Sequence, residues 1–175
     1  FGFDPDNIDH SIYTLFQQSD QQPLNAIFKT LKKTNQDNIY LLPAATAMAT
    51  LDRQLSIQSG KGLVIHKTLK QLNERFEYVL IDCPPMLGVL MVNALAACDE
   101  LLIPVQTEFL ALKGLERMLH TLQLINHSRQ HKLPYLIVPT MFDRRTRAGV
   151  QTLRKMQKDY EENLWQDAIP IDTQF

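Results

Sequence analysis

Residues 82–85 read Asp-Cys-Pro-Pro, and this short run is where the chain is best equipped to do chemistry. A lone carboxylate at the end of an apolar stretch can hold the water shell of a cation that in turn neutralises phosphate. An ionised Asp at the end of a buried strand is costly unless water, a cation or hydrogen bonds offset it. The carboxyl ends of parallel strands are also where α/β proteins place ligands. Pro84 and Pro85 supply no backbone donors and cannot extend a ladder, so the loop beside Asp82 is stiff. A nucleotide site further needs a base pocket and a phosphate cradle. Backbone groups near Thr140, Met141 and Pro170 are the candidates for the pocket. The Gly-Lys pair Gly60-Lys61 does not make a cradle: Gly62 follows where Ser or Thr is needed, and Leu55 stands at the position of a first glycine. Ser59 to Gly62 reads instead as a turn between two helices.

Other reactive types weigh less. His127 and His131 lie four apart at a predicted helix end, the spacing of two metal ligands, but no carboxylate or cysteine accompanies them and an exposed polar helix end is the better reading. Cys83 reads as a small filler beside Asp82. With Cys98 it has neither the number nor the spacing of a disulfide framework or a zinc site, which fits a reduced cytosolic setting. Arg144, Arg145, Arg147 and Arg154 form a local basic cluster that either contacts phosphates in a salt-dependent way or is a solvated face. Trp165 is expected to pack against a sheet edge.

These residues need strands to carry them. Tyr78 to Ile81 is a continuous apolar run, as expected for a central parallel strand covered on both faces. Further strands are predicted at 39–42, 101–105, 135–139 and 168–171, and their ends would gather Asp82, the loop after Val105, the loop after Pro139 and the loop after Pro170 on one edge. Between them, Ile65, Leu69, Leu72 and Phe76 mark one helix face. Leu115, Met118, Leu119, Leu122 and Ile125 mark a longer helix over about 110–129. Val150, Leu153, Met156 and Tyr160 mark a third, with Arg154, Lys155 and Lys158 on its other side. Residues 9–18 look helical, and 23–33 fit either helix or strand before a polar turn. The alternation predicts an α/β fold with a mostly parallel sheet flanked by helices.

At 175 residues the chain is long enough for one sizeable core, so 1–175 is treated as a single domain. A net charge of -1 gives no global pull towards nucleic acid or membrane, so any basic surface must be local. No apolar run reaches the roughly 20 residues of a transmembrane helix, and the polar opening FGFDPDNIDH is unlike a signal peptide. Both ends read as cut, the last falling on or just after a strand.

The run YVLIDCPPMLGVLMVNALAACDELLIPVQTEFLALKGLERMLHTL, followed by IVPTMFDRRTRAG and AIPIDTQF, resembles the ParA/MinD group of deviant-Walker ATPases, on the ParA side. The likeness runs from about residue 38 to the end, and more weakly from residue 1. GVLMVNALAA, PVQTEFLALKGLERM and PTMFDRRTRA are most similar to the ParA-like ATPases that accompany chemotaxis genes and position chemoreceptor arrays at the cell pole. The resemblance implies a three-layer, P-loop NTPase-like fold that is incomplete here, with ATP and Mg²⁺ as cofactors. It implies that Asp82 is the Walker B carboxylate, holding Mg²⁺ through water. Pro84, Pro85 and Gly88 would belong to a loop that senses the γ-phosphate, and Thr140, Met141 and Pro170 would contact the adenine. It further implies an ATP-closed homodimer and a stimulating or anchoring partner protein at the pole; partitioning members bind DNA non-specifically through surface arginines, Arg145 matches one such position, and Arg147 of the same basic cluster is a second DNA-binding candidate.

Gln174 stands where another DNA-contacting arginine is usual in those members. The phosphate loop with its signature lysine, and the aspartate that positions the attacking water, would lie upstream of Phe1. The expectation is therefore that no catalytic residue lies within this chain and that it is inert alone. Three alternatives stand beside the polar switch: a plasmid or chromosome partitioning ATPase on DNA, a non-catalytic binding module that kept the fold, and a MinD-like membrane switch with a C-terminal amphipathic helix.

Overall fold

The computed structural model describes residues 1–18, 24–55, 61–72, 75–84, 88–127, 129 and 131–172. They form two compact units, Phe1–Cys98 and Asp99–Phe175.

In the first unit, helices α1 (Ile12–Gln17) and α2 (Leu24–Thr30) precede a two-stranded hairpin of β1 (Lys32–Lys33) and β2 (Tyr40–Leu41), followed by α3 (Met48–Leu55), α4 (Val64–Gln71) and α5 (Val89–Ala97). Among the described residues two clusters hold it. Leu15, Ile27 and Leu72 bury together with Ile12 and Phe76 against them, while Phe16, Leu51 and Val64 form the second with Ile65 and Val89. The expected helix at 9–18 is present, and the ambiguous 23–33 resolves as a helix running into the hairpin. Leu72 and Phe76 stay on the apolar face although α4 stops at Gln71.

Two expectations need correction here. The segment 39–42 is not a parallel strand: Tyr40 and Leu41 pair antiparallel with Lys33 and Lys32. The reason is local. Thr34 Oγ1 donates to Ile39 O (2.9 Å) and accepts from Gln36 N (3.1 Å), and Asn38 takes φ 61°, so the chain turns back before Tyr40. Residues 78–82 are not a covered strand either. Tyr78, Val79 and Leu80 are 80%, 50% and 91% exposed, because no described segment lies beside them to form a ladder.

The second unit is built as expected from βα repetition. Strands β3 (Leu101–Gln106) and β4 (Tyr135–Thr140) pair in parallel, Leu101 opposite Tyr135 through Gln106 opposite Thr140. Helix α6 (Phe109–His127) connects them, and α7 (Arg147–Asp159) leads back to a third parallel segment that bridges β4 at Ile137–Leu164 and the chain just beyond β4 at Phe142–Pro170. Ile103, Val105 and Ile137 from the strands close on Leu112 and Leu115 of α6, Met156 of α7 and Leu164. Fully burying each such side chain stabilises by about 1.5–3 kcal/mol.

The prolines explain why the third segment is not a full strand. Leu101 N donates to Pro134 O and Thr107 N to Thr140 O, so odd residues of β3 face β4 and Pro104 falls on the opposite side, where no β4 bond is lost. By the same parity Pro139 faces the third segment and offers it no donor. Trp165 N reaches Ile137 O at 2.8 Å and Ile169 N reaches Pro139 O at 2.9 Å, so residues 166–168 bulge between the two bonds. The 168–171 strand is thus reduced to isolated bridges. Trp165 reaches the sheet edge through its backbone N–H, and its side chain is exposed. Among the described residues no helix is long and apolar enough to cross a membrane.

Candidate functional site

At the carboxyl edge of β3 and β4 the backbone turns sharply. Thr107 is buried; its N–H donates to Thr140 O (3.1 Å) and its Oγ1 to Met141 O (3.5 Å). Met141 is thereby held at φ 50°, in the left-handed region that L residues enter at a cost of roughly 1–2 kcal/mol. Its thioether meets Gln106 Nε2 at 3.3 Å, and the side chain stays about half exposed. Phe142 N donates to Ile169 O (3.0 Å) and Ile171 N to Phe142 O (3.1 Å), which sets Pro170 beside Phe142. Thr140, Met141 and Pro170 therefore meet on one edge, as expected from the sequence. Phe142's backbone is fully engaged, and Pro170 has no N–H. What this edge presents is apolar: the Met141 side chain and the exposed proline ring. Next to them lies an open cavity of about 440 Å³ lined by Phe142, Asp143, Arg144, Arg145, Pro170 and Ile171. Its lining mixes apolar Phe142, Pro170 and Ile171 with the charged Asp143, Arg144 and Arg145.

Asp82 and Pro84 belong to the first unit. Asp82 lies outside any helix or strand and is exposed, and its carboxylate makes no hydrogen bond or salt bridge with a described residue. A solvent-facing carboxylate with free lone pairs fits the outer shell of Mg²⁺, which keeps several of its waters. Cys83 beside it is half-buried, and its thiol pKa is raised first by burial and then by the Asp82 charge, so it stays protonated and inert. Pro84 is exposed, Pro85 lies outside the described residues, and Gly88 caps the start of α5 in extended backbone.

The basic turn carries a feature absent from the sequence reading. Arg145 Nε and NH2 donate to the two oxygens of Asp143, both at 2.9 Å, and Arg145 N donates to Oδ1 at 2.9 Å. The guanidinium side chain is 78% exposed and the carboxylate 21%. Hydrogen bonds from Arg145 hold the Asp143 carboxyl down to about 2, and Asp143 raises the Arg145 pKa in return. Arg144, Arg147 and Arg154 are exposed without a carboxylate partner among the described residues, and Gln174 lies outside them. Thr146 closes the turn by accepting from Gly149 N (3.2 Å) and donating to Asp143 O (3.0 Å), which starts α7. His127 is exposed, with a ring nitrogen 2.7 Å from Gln123 O.

Asn93 was missed. It is fully buried in α5, where Oδ1 accepts from Val64 N (2.8 Å) and Ile65 N (3.3 Å) and Nδ2 donates to Val89 O (2.9 Å). One amide thus caps α4, whose own N-cap Leu63 offers no side-chain bond, from the helix that follows the Asp82 loop. The available signal was a single polar residue inside the apolar run VLMVNALAA.

A family profile described as AAA domain matches residues 1–135. The chain belongs to that family, on its ParA/MinD side. It is 31% identical over 145 residues to the sporulation initiation inhibitor protein Soj of Bacillus subtilis, covering 82% of this chain and 57% of Soj. It is 30% identical over 170 residues to the chromosome partitioning protein ParA of Myxococcus xanthus, covering 97% and 58%. Among solved structures, cobyrinic acid a,c-diamide synthase from Mycobacterium smegmatis, with bound ATP analog and magnesium, superposes with a TM-score of 0.83 at 30% identity over 97% of this chain and 67% of that one. The P-loop NTPase-like α/β class expected from the sequence is shared with that neighbour. This ParA/MinD chain spans somewhat over half the length of the two relatives it matches.

Proposed function

We propose that this chain is the metal-holding and base-contacting part of a ParA-like ATPase, an ATP-dependent dimerisation switch that positions cellular cargo. What carries the reading is the family match over residues 1–135, in a chain whose Asp82 carboxylate is free and whose Thr140, Met141 and Pro170 share one strand edge. Asp82 would anchor a water of the Mg²⁺ shell, and that ion would neutralise the phosphates. Pro84 and the loop up to Gly88 would report the γ-phosphate to α5. Met141 and Pro170 would receive the adenine against their apolar surfaces. ATP would bias two states, closed dimer and open monomer, with a partner protein stimulating return to the open one. The wording of GVLMVNALAA and PTMFDRRTRA favours chemoreceptor arrays at the pole as the cargo, in a cytoplasmic protein.

Asp82→Ala in the intact protein tests this. Loss of ATP turnover by about 10²-fold or more, together with loss of polar foci of a fluorescent fusion, is the expected result. Undiminished hydrolysis would refute the metal role.

A second reading, a partitioning ATPase on non-specific DNA, draws on the exposed Arg144, Arg147 and Arg154 and on relatives whose names refer to chromosome partitioning. Spread of the fusion over the nucleoid rather than the pole would favour it.

A further inference from the structure

We propose that Asp143 is a built-in competitor for Arg145, so that the Nε–NH2 edge of this guanidinium engages a phosphate backbone only when the phosphate displaces the Asp143 carboxylate. The inference rests on the DNA reading of the same surface and concerns its regulation. Arg145 is exposed and suited to grip a phosphate, since a guanidinium matches phosphate through two parallel N–H bonds. One such edge, Nε with NH2, is already spent on Asp143 at 2.9 Å, and the arginine's charge is paired there. The carboxylate is fixed from behind: Arg145 N holds Oδ1, and the turn is closed by Thr146 onto Asp143 O and by Gly149 N onto Thr146.

Gly149 makes the closure tight. A Cβ there would lie 2.8 Å from Thr146 Oγ1 and 3.1 Å from Asp143 O. The aspartate's backbone is therefore fixed at the start of α7 and its carboxylate is tethered by Arg145 N, whereas the arginine side chain faces solvent and can exchange partners. Coulomb attraction to either anion is similar at a solvated surface, so the exchange is close to neutral and reversible. Arg144, Arg147 and Arg154 lack such a competitor among the described residues and would supply the standing attraction.

Counterion release makes this measurable. Each phosphate contact adds about 0.9 to the slope of log K against log salt on duplex DNA. An arginine that trades one anion for another releases fewer counterions than a free one. Retention of duplex DNA by the intact protein, with ATP and Mg²⁺, should be titrated with salt for the wild type, Asp143→Asn, Arg145→Ala, Asp143→Asn with Arg145→Ala, and Arg147→Ala. The expected result is a slope steeper by up to about 0.9 in Asp143→Asn, with several-fold tighter binding at low salt, and no such gain in the double variant. Circular dichroism of Asp143→Asn checks that the turn still folds, and Asp143→Ser repeats the charge removal with a side chain that can still accept the Arg145 N–H.

If Arg147→Ala lowers the slope while Asp143→Asn and Asp143→Ser leave it unchanged, the surface binds DNA and the competitor role is wrong. A gain in Asp143→Asn that persists without Arg145 also overturns it, because general charge would then be the cause. If no variant changes retention, the DNA reading itself fails and the competition with it.

Discussion

Removing the Asn93 amide should loosen the first unit at a predictable place and by a predictable amount. In Asn93→Ala, Val64 N loses its 2.8 Å acceptor in surroundings where Val64 is 2% exposed, and Ile65 N loses a longer bond of 3.3 Å at a half-buried position. An orphaned buried donor costs about 1–3 kcal/mol, and the longer bond adds about 0.5–1. Val89 O loses less, because the helix still gives it the backbone N–H of residue 93. Alanine recovers about 0.6 kcal/mol of helix propensity. The net loss is about 2–3 kcal/mol, a large part of the roughly 5–15 kcal/mol of an ordinary domain.

Urea unfolding followed by far-UV circular dichroism should show this as a midpoint lower by about 1–2 M at unchanged slope. Hydrogen exchange at Val64 N should accelerate about 10²-fold while β3 and β4 amides are unaffected. Asn93→Asp keeps the acceptor but sets a buried carboxylate against Val89 O, so it should not restore the stability at neutral pH. A midpoint within about 0.3 M of wild type, with Val64 still protected, would mean that water replaces the amide and that the cap contributes little.

Thr146→Ala removes the hydroxyl that accepts from Gly149 N and should cost about 1 kcal/mol in thermal unfolding, with faster exchange confined to the first turn of α7. Asp143 has its folded pKa depressed, so its contribution is complete above the ordinary 3.8 and is lost as pH falls through about 2; carbon-detected NMR of the side-chain carboxyl should give a midpoint near 2, rising towards 3.8 in Arg145→Ala. Met141→Gly relieves roughly 1 kcal/mol of left-handed backbone while deleting an exposed apolar side chain, so unfolding should show stability unchanged or higher while ATP titration shows several-fold weaker binding.

Much of the second unit could be read from periodicity, because its elements bury one face each. The stripe of Leu115, Leu122 and their neighbours places α6, Met156 and Tyr160 place α7, and the apolar runs place β3 and β4 nearly to the residue. The first unit was harder because its outcome depends on neighbours. Tyr78 to Ile81 has the composition of a covered strand, but burial belongs to the pair of surfaces and not to the run. Tyr40 and Leu41 have strand composition too; the Thr34–Asn38 turn, rather than their own side chains, made the pairing antiparallel. The candidate edge was legible in position, since Thr140, Met141 and Pro170 do meet. Its chemistry was not, because hydrogen bonds across Phe142 and Ile169 leave side chains rather than backbone to make contacts. Arg145 shows the same limit, since a charge counted in sequence says nothing of the carboxylate two residues earlier that already holds it.

The prolines of the β3–β4 pair have a consequence for folding. Pro104 removes a donor from the outer rim of β3 near its middle, and Pro139 removes one from the outer rim of β4 near its end, so each rim has a gap. A freshly formed parallel pair is the kind of apolar template onto which other chains add strands. Here neither rim can nucleate an uninterrupted ladder with a stranger, while the chain's own following segment docks by stepping over the gap with a bulge. The nascent ribbon is protected against edge-to-edge aggregation during the interval before its flanks are covered.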